Sequence, residues 1–247
     1  MIPSRIQSVV WLVAVITSCT VGRGGASVME PRTSIDGILR VAYQGEPGAY
    51  SEKSTRELLG DKVVAIGRPN FEACFRAVAS RECDYACLPI ENSLGGSIHE
   101  NYDLMLRYDL TIVAEHEFRV KHCLHVKKGV KREEIKYAIS HPQALAQCDN
   151  YLRGLGITPI PTYDTAGSAK MISEGSDAMP DKCTPENTCA IASDLAGQIY
   201  GLQCLDKGIE DDDTNFTRFL LLARKGVASF LNGEIPSKTS VVFTLPE

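Results

Sequence analysis

The 247-residue sequence has no apolar run long enough to cross a bilayer. Its longest, residues 9–16, continues weakly to Val21, short of the roughly 20 residues that a spanning helix needs. It has no cluster of basic residues either. The net charge is -5 and the Lys and Arg are spread out, which excludes a nucleic-acid footprint. No CxxC pair occurs among the nine cysteines. Cys83 and Cys87 with His99, or Cys123 with His122 and His125, are at spacings that fit no standard zinc pattern. No GxGxxG opens a helix, so a dinucleotide site has no support.

What is present starts with a core. Hydrophobic residues make up 44% of the chain, enough for one large or two small cores. Arg5 precedes the first apolar run, and Gly24, Gly25, Ala26 and Ser27 follow it. Residues 1–36 therefore read as a cleavable targeting segment or a disordered leader, with Met29 as an alternative initiator. Cys19 would leave with that leader. The other eight cysteines, several inside apolar segments, suit buried free thiols in a reducing compartment. Import into a reducing organelle, a plastid, reconciles leader and thiols; the alternative is the cytoplasm. The mature form is expected to have no membrane segment.

From residue 39 one unit recurs: a β-strand, a turn rich in Ser, Thr, Asn and Gly, and a helix. LRVAYQ (39–44) leads through Gly45 and Gly48 to a helix over 51–59. Asn70 caps the next helix, with Phe71, Cys74, Phe75 and Val78 at core spacing. A strand over 85–90 runs into Glu91, Asn92 and Ser93, and Ser97 with Glu100 predicts a capping box. Residues 111–128 read as one long extended crossover bent near Glu117. A strand over 136–139 leads to Pro142 at a helix start, with His141 as cap and the helix running to about Arg153. Asp164 and Thr165 open another helix, residues 175–187 form a polar loop, and a strand over 189–192 precedes a helix over 194–200. The pattern predicts parallel α/β sheets in two lobes, with polar turns facing a shared cleft.

The last segment, GIEDDDTNFTRFLLLAR (208–224), predicts an acidic loop entering a buried strand that returns to the first lobe. A guanidinium at that entrance needs an anion, so Arg218 is either half of a structural ion pair or a ligand anchor.

The segments Tyr43-Gln44-Gly45, Gly48 to Ser51, Pro89 to Ser93, Gly96-Ser97, Ser140 to Leu145, Asp164 to Ala166, Ala190 to Ser193 and Asn215 to Phe219, in that order, resemble prephenate dehydratase and its relative arogenate dehydratase. The resemblance implies a two-lobed α/β fold like type 2 periplasmic binding proteins, with the active site in the cleft. It places the dehydratase domain at residues 37–224, lobe 1 as 37–115 plus 210–224 and lobe 2 as 116–209. Residues 225–247 would be a linker and the first strand of a truncated ACT domain.

It also implies decarboxylation and dehydration of prephenate or arogenate, with no cofactor and no metal, because aromatisation drives the reaction. Thr217 is then the catalytic hydroxyl. Arg218, Asn92, Ser93, Ser51, Gln143, Thr165 and Phe219 are the expected substrate contacts, with Glu91 and His141 as alternative proton sources. The expected partner is the small-molecule substrate, with a homo-oligomer open. The rival reading is a non-catalytic two-lobed binding module.

Overall fold

The computed structural model describes residues 38–175 and 177–226, and the backbone of two short strands, β1 (Val15–Ser18) and β13 (Ser237–Ser240), which pair antiparallel. The expected leader, apart from that β1 backbone, and most of the expected ACT strand lie outside the described residues.

Lobe 1 is a sheet ordered β3-β2-β4-β12-β6. Here β2 is Leu39–Gln44, β3 Val63–Arg68, β4 Tyr85–Asn92, β6 Leu110–Arg119 and β12 Phe216–Arg224. A two-residue strand, β5 (Gly96–Ser97), pairs with the end of β4. Three helices follow their strands: α1 (Tyr50–Leu59), α2 (Phe71–Ala79) and α3 (His99–Arg107). The continuous run FLLLA in β12 is apolar at every position because the sheet is covered on both faces. Phe219, Leu221 and Ala223 pack on the α1 side with Leu58 and Leu59. Leu220 and Leu222 pack on the α2 and α3 side with Phe75, Val78 and Leu104.

Lobe 2 is ordered β11-β7-β10-β8-β9. Its strands are β7 (Cys123–Val126), β8 (Tyr137–Ser140), β9 (Thr158–Pro161), β10 (Thr188–Ala192) and β11 (Gln203–Lys207). Its helices are α4 (Pro142–Ala146), α5 (Asp149–Gly154), α6 (Thr165–Glu174) and α7 (Asp194–Ile199). Two stretches of chain, 120–122 and 208–215, cross between the lobes.

Several expectations change. Both sheets are mixed: β12 runs antiparallel to β4 and β6, and β7 antiparallel to β10 and β11. The returning strand arrives from the far lobe without a crossover helix, so it has no need to run parallel. The crossover breaks at 120–122, where the chain leaves one sheet for the other, and not near Glu117. Ser97 pairs in β5, and α3 starts after Ile98 without a side-chain cap, so the capping box is absent. The helix after Pro142 is broken at Cys148 (φ -123°, ψ 21°). The Asp211 carboxylate accepts from Asn150 N (2.9 Å) and Tyr151 N (3.3 Å). That capping restarts the helix as α5. Asn70 does cap α2, accepting from Ala73 N at 2.8 Å.

Six of the eight described cysteines are buried. Burial pushes the thiols of Cys74 and Cys189 up to about 12 and that of Cys87 to about 11, so they stay protonated and unreactive.

The lobes meet tightly at the turn before α1. Ser193 Oγ donates to Gly48 O at 2.6 Å and Lys53 pairs with Asp194 at 2.7 Å. Gly48 has φ +92°, and a Cβ there would sit 2.5 Å from the Ala196 Cα. Gly48→Ala is therefore expected to lower stability by about 1–3 kcal/mol from the backbone conformation alone. Urea denaturation of the two proteins measures it; an unchanged midpoint would show that the turn at Gly48 relaxes out of its left-handed conformation at no cost.

Candidate active site

The carboxyl end of β4 fixes the site. Asn92 is its last residue and is 8% exposed. Its Oδ1 accepts from Leu94 N (3.1 Å) and Gly95 N (2.7 Å). Backbone N–H groups only donate, so this end of the amide is the oxygen and the other is the NH2. That NH2 donates to Asn215 Oδ1 (2.8 Å) and Thr217 Oγ1 (2.9 Å), with Phe216 O at 3.1 Å. Thr217 lies directly opposite Asn92 in the ladder. Its oxygen accepts from Asn92, so its own hydrogen is left for a different acceptor.

Lobe 2 closes over this point with two glutamines. Gln143 Nε2 donates to Asn92 Oδ1 at 3.3 Å, and Asn215 Nδ2 donates to Gln147 Oε1 at 3.0 Å. A Cβ on Gly95 would lie 1.8 Å from Gln143 Nε2, so any larger residue there would displace that amide. Gln147 Oε1 also receives His122 Nε2 at 2.9 Å. With its oxygen filled twice, Gln147 has its amide nitrogen left to offer. Both glutamines line a cavity of about 280 Å³ together with Leu94, Gly95, Ala146, Asp211 and Asp212.

Thr217, Asn92 and Gln143 are thus brought together as expected. Asn215, Gln147 and His122 join them and were not singled out as site residues. Gln143 in the first turn of α4 and Gln147 at its C-terminal end stand four apart, the spacing that puts two side chains on one face. His122 gave no local signal, because its partners are 25 and 72 residues away.

The other expected contacts are placed differently. Arg218 alternates to the α2 and α3 face, away from Thr217. Its Nε donates to Glu115 Oε2 at 2.8 Å and its Nη2 reaches the same oxygen. The free carboxylate anchor gives way to an ion pair, with a glutamate from β6 as partner. Phe219 is 2% exposed in the lobe 1 core, with its ring edge-on to Phe118 at 6.1 Å; it is a core side chain and not a substrate contact. Ser93 Oγ donates to Thr214 O (2.7 Å) and accepts from Phe216 N (2.9 Å). It clamps the loop before β12.

Ser51 is buried in the first turn of α1, outside this group. Thr165 opens α6 beside a second cavity of about 270 Å³ lined by Glu46, Tyr163, Asp164, Lys170 and Glu174 among others. His141 Nδ1 accepts from Gln143 N at 3.2 Å as a cap, and burial lowers its pKa. Glu91 is exposed opposite Arg218.

The separation of core from site is testable. Phe219→Ala is expected to cost about 3–5 kcal/mol of stability, while Phe219→Leu should leave ligand binding or turnover at the cleft near wild type. Arg218→Lys, which keeps charge but loses the fork, should lower the melting temperature and leave KM near wild type. A large KM rise in a stable Arg218→Lys protein would restore Arg218 as a ligand anchor.

The family profile described as prephenate dehydratase matches residues 41–227. Arogenate dehydratase 2 of Petunia hybrida is 48% identical over 209 residues, covering 85% of this chain and 50% of that protein. A protein of Arabidopsis thaliana named arogenate dehydratase/prephenate dehydratase 2, chloroplastic, is 46% identical over 209 residues, 85% of this chain and 52% of its own. The chain spans about half the length of these curated relatives. Among solved structures, the prephenate dehydratase of Arthrobacter aurescens in complex with L-Phe superposes with a TM-score of 0.68 at 26% identity, over 76% of this chain and 61% of that one.

Proposed function

The chain belongs to the prephenate dehydratase family, and from that premise we propose that its cleft removes carbon dioxide and hydroxide from prephenate, arogenate or both, as a carbon–oxygen lyase of phenylalanine biosynthesis. The observation that carries this reading is the Thr217 hydroxyl, whose oxygen is held by Asn92 and whose hydrogen is not spent on it. A hydroxyl is too weak an acid to give up its proton early, so its role is a hydrogen bond to the departing ring oxygen. A positioned donor of that kind is worth roughly 2.7–4 kcal/mol. The amide nitrogens of Gln143 and Gln147 are neutral donors for the substrate's carboxylate or carbonyl oxygens. Loss of the ring carboxylate supplies the electrons that expel hydroxide, and the aromatic ring formed makes the step downhill without a cofactor.

Asp211 and Asp212 line the cavity. They oppose a dianion such as prephenate and favour the ammonium group by which arogenate differs. At 4 Å in water one such charge is worth about 1 kcal/mol, so arogenate is the expected better substrate by several-fold in kcat/KM. The chloroplastic name of the Arabidopsis relative, the leader-like residues 1–36 and the buried free thiols support plastid residence.

Steady-state kinetics on both substrates tests the reading. Thr217→Val keeps the shape and removes the donor; it should lower kcat by roughly 10²–10³ with little change in KM. Thr217→Ser should retain much of the activity. A Thr217→Val enzyme with near-normal kcat would remove Thr217 from the mechanism. Saturable binding of both compounds by the wild type without turnover would favour the binding module instead.

A further inference from the structure

His122 sits in the first crossing between the lobes and is 2% exposed. Its main chain binds the second crossing: its N–H donates to Glu210 Oε2 (2.9 Å), and its carbonyl accepts from Gly208 N (2.8 Å) and Ile209 N (3.2 Å). Its side chain bridges the lobes. Nδ1 lies 2.7 Å from the Tyr50 hydroxyl, on α1 of lobe 1. Nε2 lies 2.9 Å from Gln147 Oε1, at the end of α4 in lobe 2. The two rings meet edge-on, 5.5 Å apart. No step of the dehydration uses this histidine.

The hydrogens along the chain of side chains follow from one end. Leu94 N and Gly95 N fix the Asn92 oxygen, so the Asn92 NH2 faces Asn215. Asn215 must therefore accept there and turn its own NH2 to Gln147. Gln147 then presents its oxygen, and His122 can meet that oxygen only as a donor, from Nε2. Nδ1 keeps its lone pair and accepts the Tyr50 hydroxyl. Burial lowers the pKa of His122 and raises that of Tyr50, which keeps both uncharged.

We propose that His122 is a positioning residue for the dehydration: with its hydrogen on Nε2 it holds the Gln147 oxygen inward, leaves the Gln147 amide nitrogen to the cavity, and fixes how lobe 2 seats over Asn92 and Thr217. The proposal rests on the dehydratase reading above. A purely structural histidine would hold the crossings through its main chain alone and would be indifferent to which ring nitrogen carries the hydrogen.

Two amide substitutions separate these roles, because a glutamine amide reaches the place of Nε2 and an asparagine amide the place of Nδ1. His122→Gln can still donate to Gln147; His122→Asn can only meet Tyr50. In kinetics on both substrates, His122→Asn should lower kcat about 10–100-fold, the scale of a misplaced reacting group, and His122→Gln by no more than about threefold. The nitrogen NMR spectrum of the wild-type imidazole should show the hydrogen on Nε2. Equal loss in the two variants, equal retention, or a hydrogen on Nδ1 would overturn the proposal. A wild type with no turnover on either substrate would instead sink the dehydratase reading, and this proposal with it. Active wild type with indistinguishable variants sinks this proposal alone.

Discussion

The two hydrogen bonds from Leu94 N and Gly95 N to the Asn92 side chain set the rest of the site. An amide has a donor end and an acceptor end, and its environment must choose between them. Here the choice is made by backbone groups that cannot reverse, held in a turn at the end of a buried strand. Everything the other end touches inherits that choice: Asn215, Thr217 and, through Asn215, Gln147. The site is thus oriented by the fold of lobe 1 before lobe 2 arrives. Buried polar groups left half-satisfied are costly, so the same bonds that aim Thr217 also make its burial tolerable.

Each lobe has its own apolar core, and the seam between them is polar. Cores such as Phe75, Leu88 and Leu222 in one lobe, or Leu124, Leu152 and Ile191 in the other, do not cross the cleft. One mixed cluster, in which Tyr43 and Ala49 meet Ala192 and Ala196, lies at the Gly48 contact. Elsewhere the lobes are joined by side-chain bonds such as Lys170 to Glu46 and Tyr163 to Pro69 O. A hydrogen bond contributes about 0.5–1.5 kcal/mol net and an exposed ion pair less than about 1. Bonds of that kind are individually weaker than either core, so each lobe holds together through its own apolar residues and not through the seam. The proposed dehydration, in which the cleft would admit a ring and then exclude water, needs that combination.

The repeating strand, turn and helix were legible because buried strands and amphipathic helices leave different periods in the chain, and Asn70 announced its helix by residue type. The last strand was legible from five consecutive apolar residues, though it begins earlier, at Phe216, because polar Thr217 and Arg218 still pair with both neighbours. What escaped depends on partners far along the sequence. The break after α4 is set by Asp211, some 60 residues on from the amides it caps. Strand β11, with the polar sequence QCLDK, is a strand only because β7 offers it an edge. Phe219 and Arg218 share a triplet with Thr217, and the family resemblance placed all three in the site. Alternation along a strand sends Arg218 to the opposite face from Thr217, and Phe219, back on the face of Thr217, lies further along the strand inside the lobe 1 core.

The position of Arg218 bears on the proposed dehydration. A cation about 4 Å from a carboxylate stabilises it by roughly 1 kcal/mol in water and about 4 at an effective dielectric of 20. Beside the ring carboxylate that stabilisation would be lost as carbon dioxide departs, and would therefore raise the barrier. The pairing of Arg218 with Glu115 on the far face of the sheet keeps its charge occupied and away from Thr217. Around Thr217 the structure presents amides: Asn92, Asn215, Gln143 and Gln147. Amides orient oxygens without holding on to their charge. For the proposed dehydration, which would discard one anion as carbon dioxide and release another as hydroxide, a neutral, directionally fixed donor set is the environment that stabilises the departing oxygen without trapping the carboxylate.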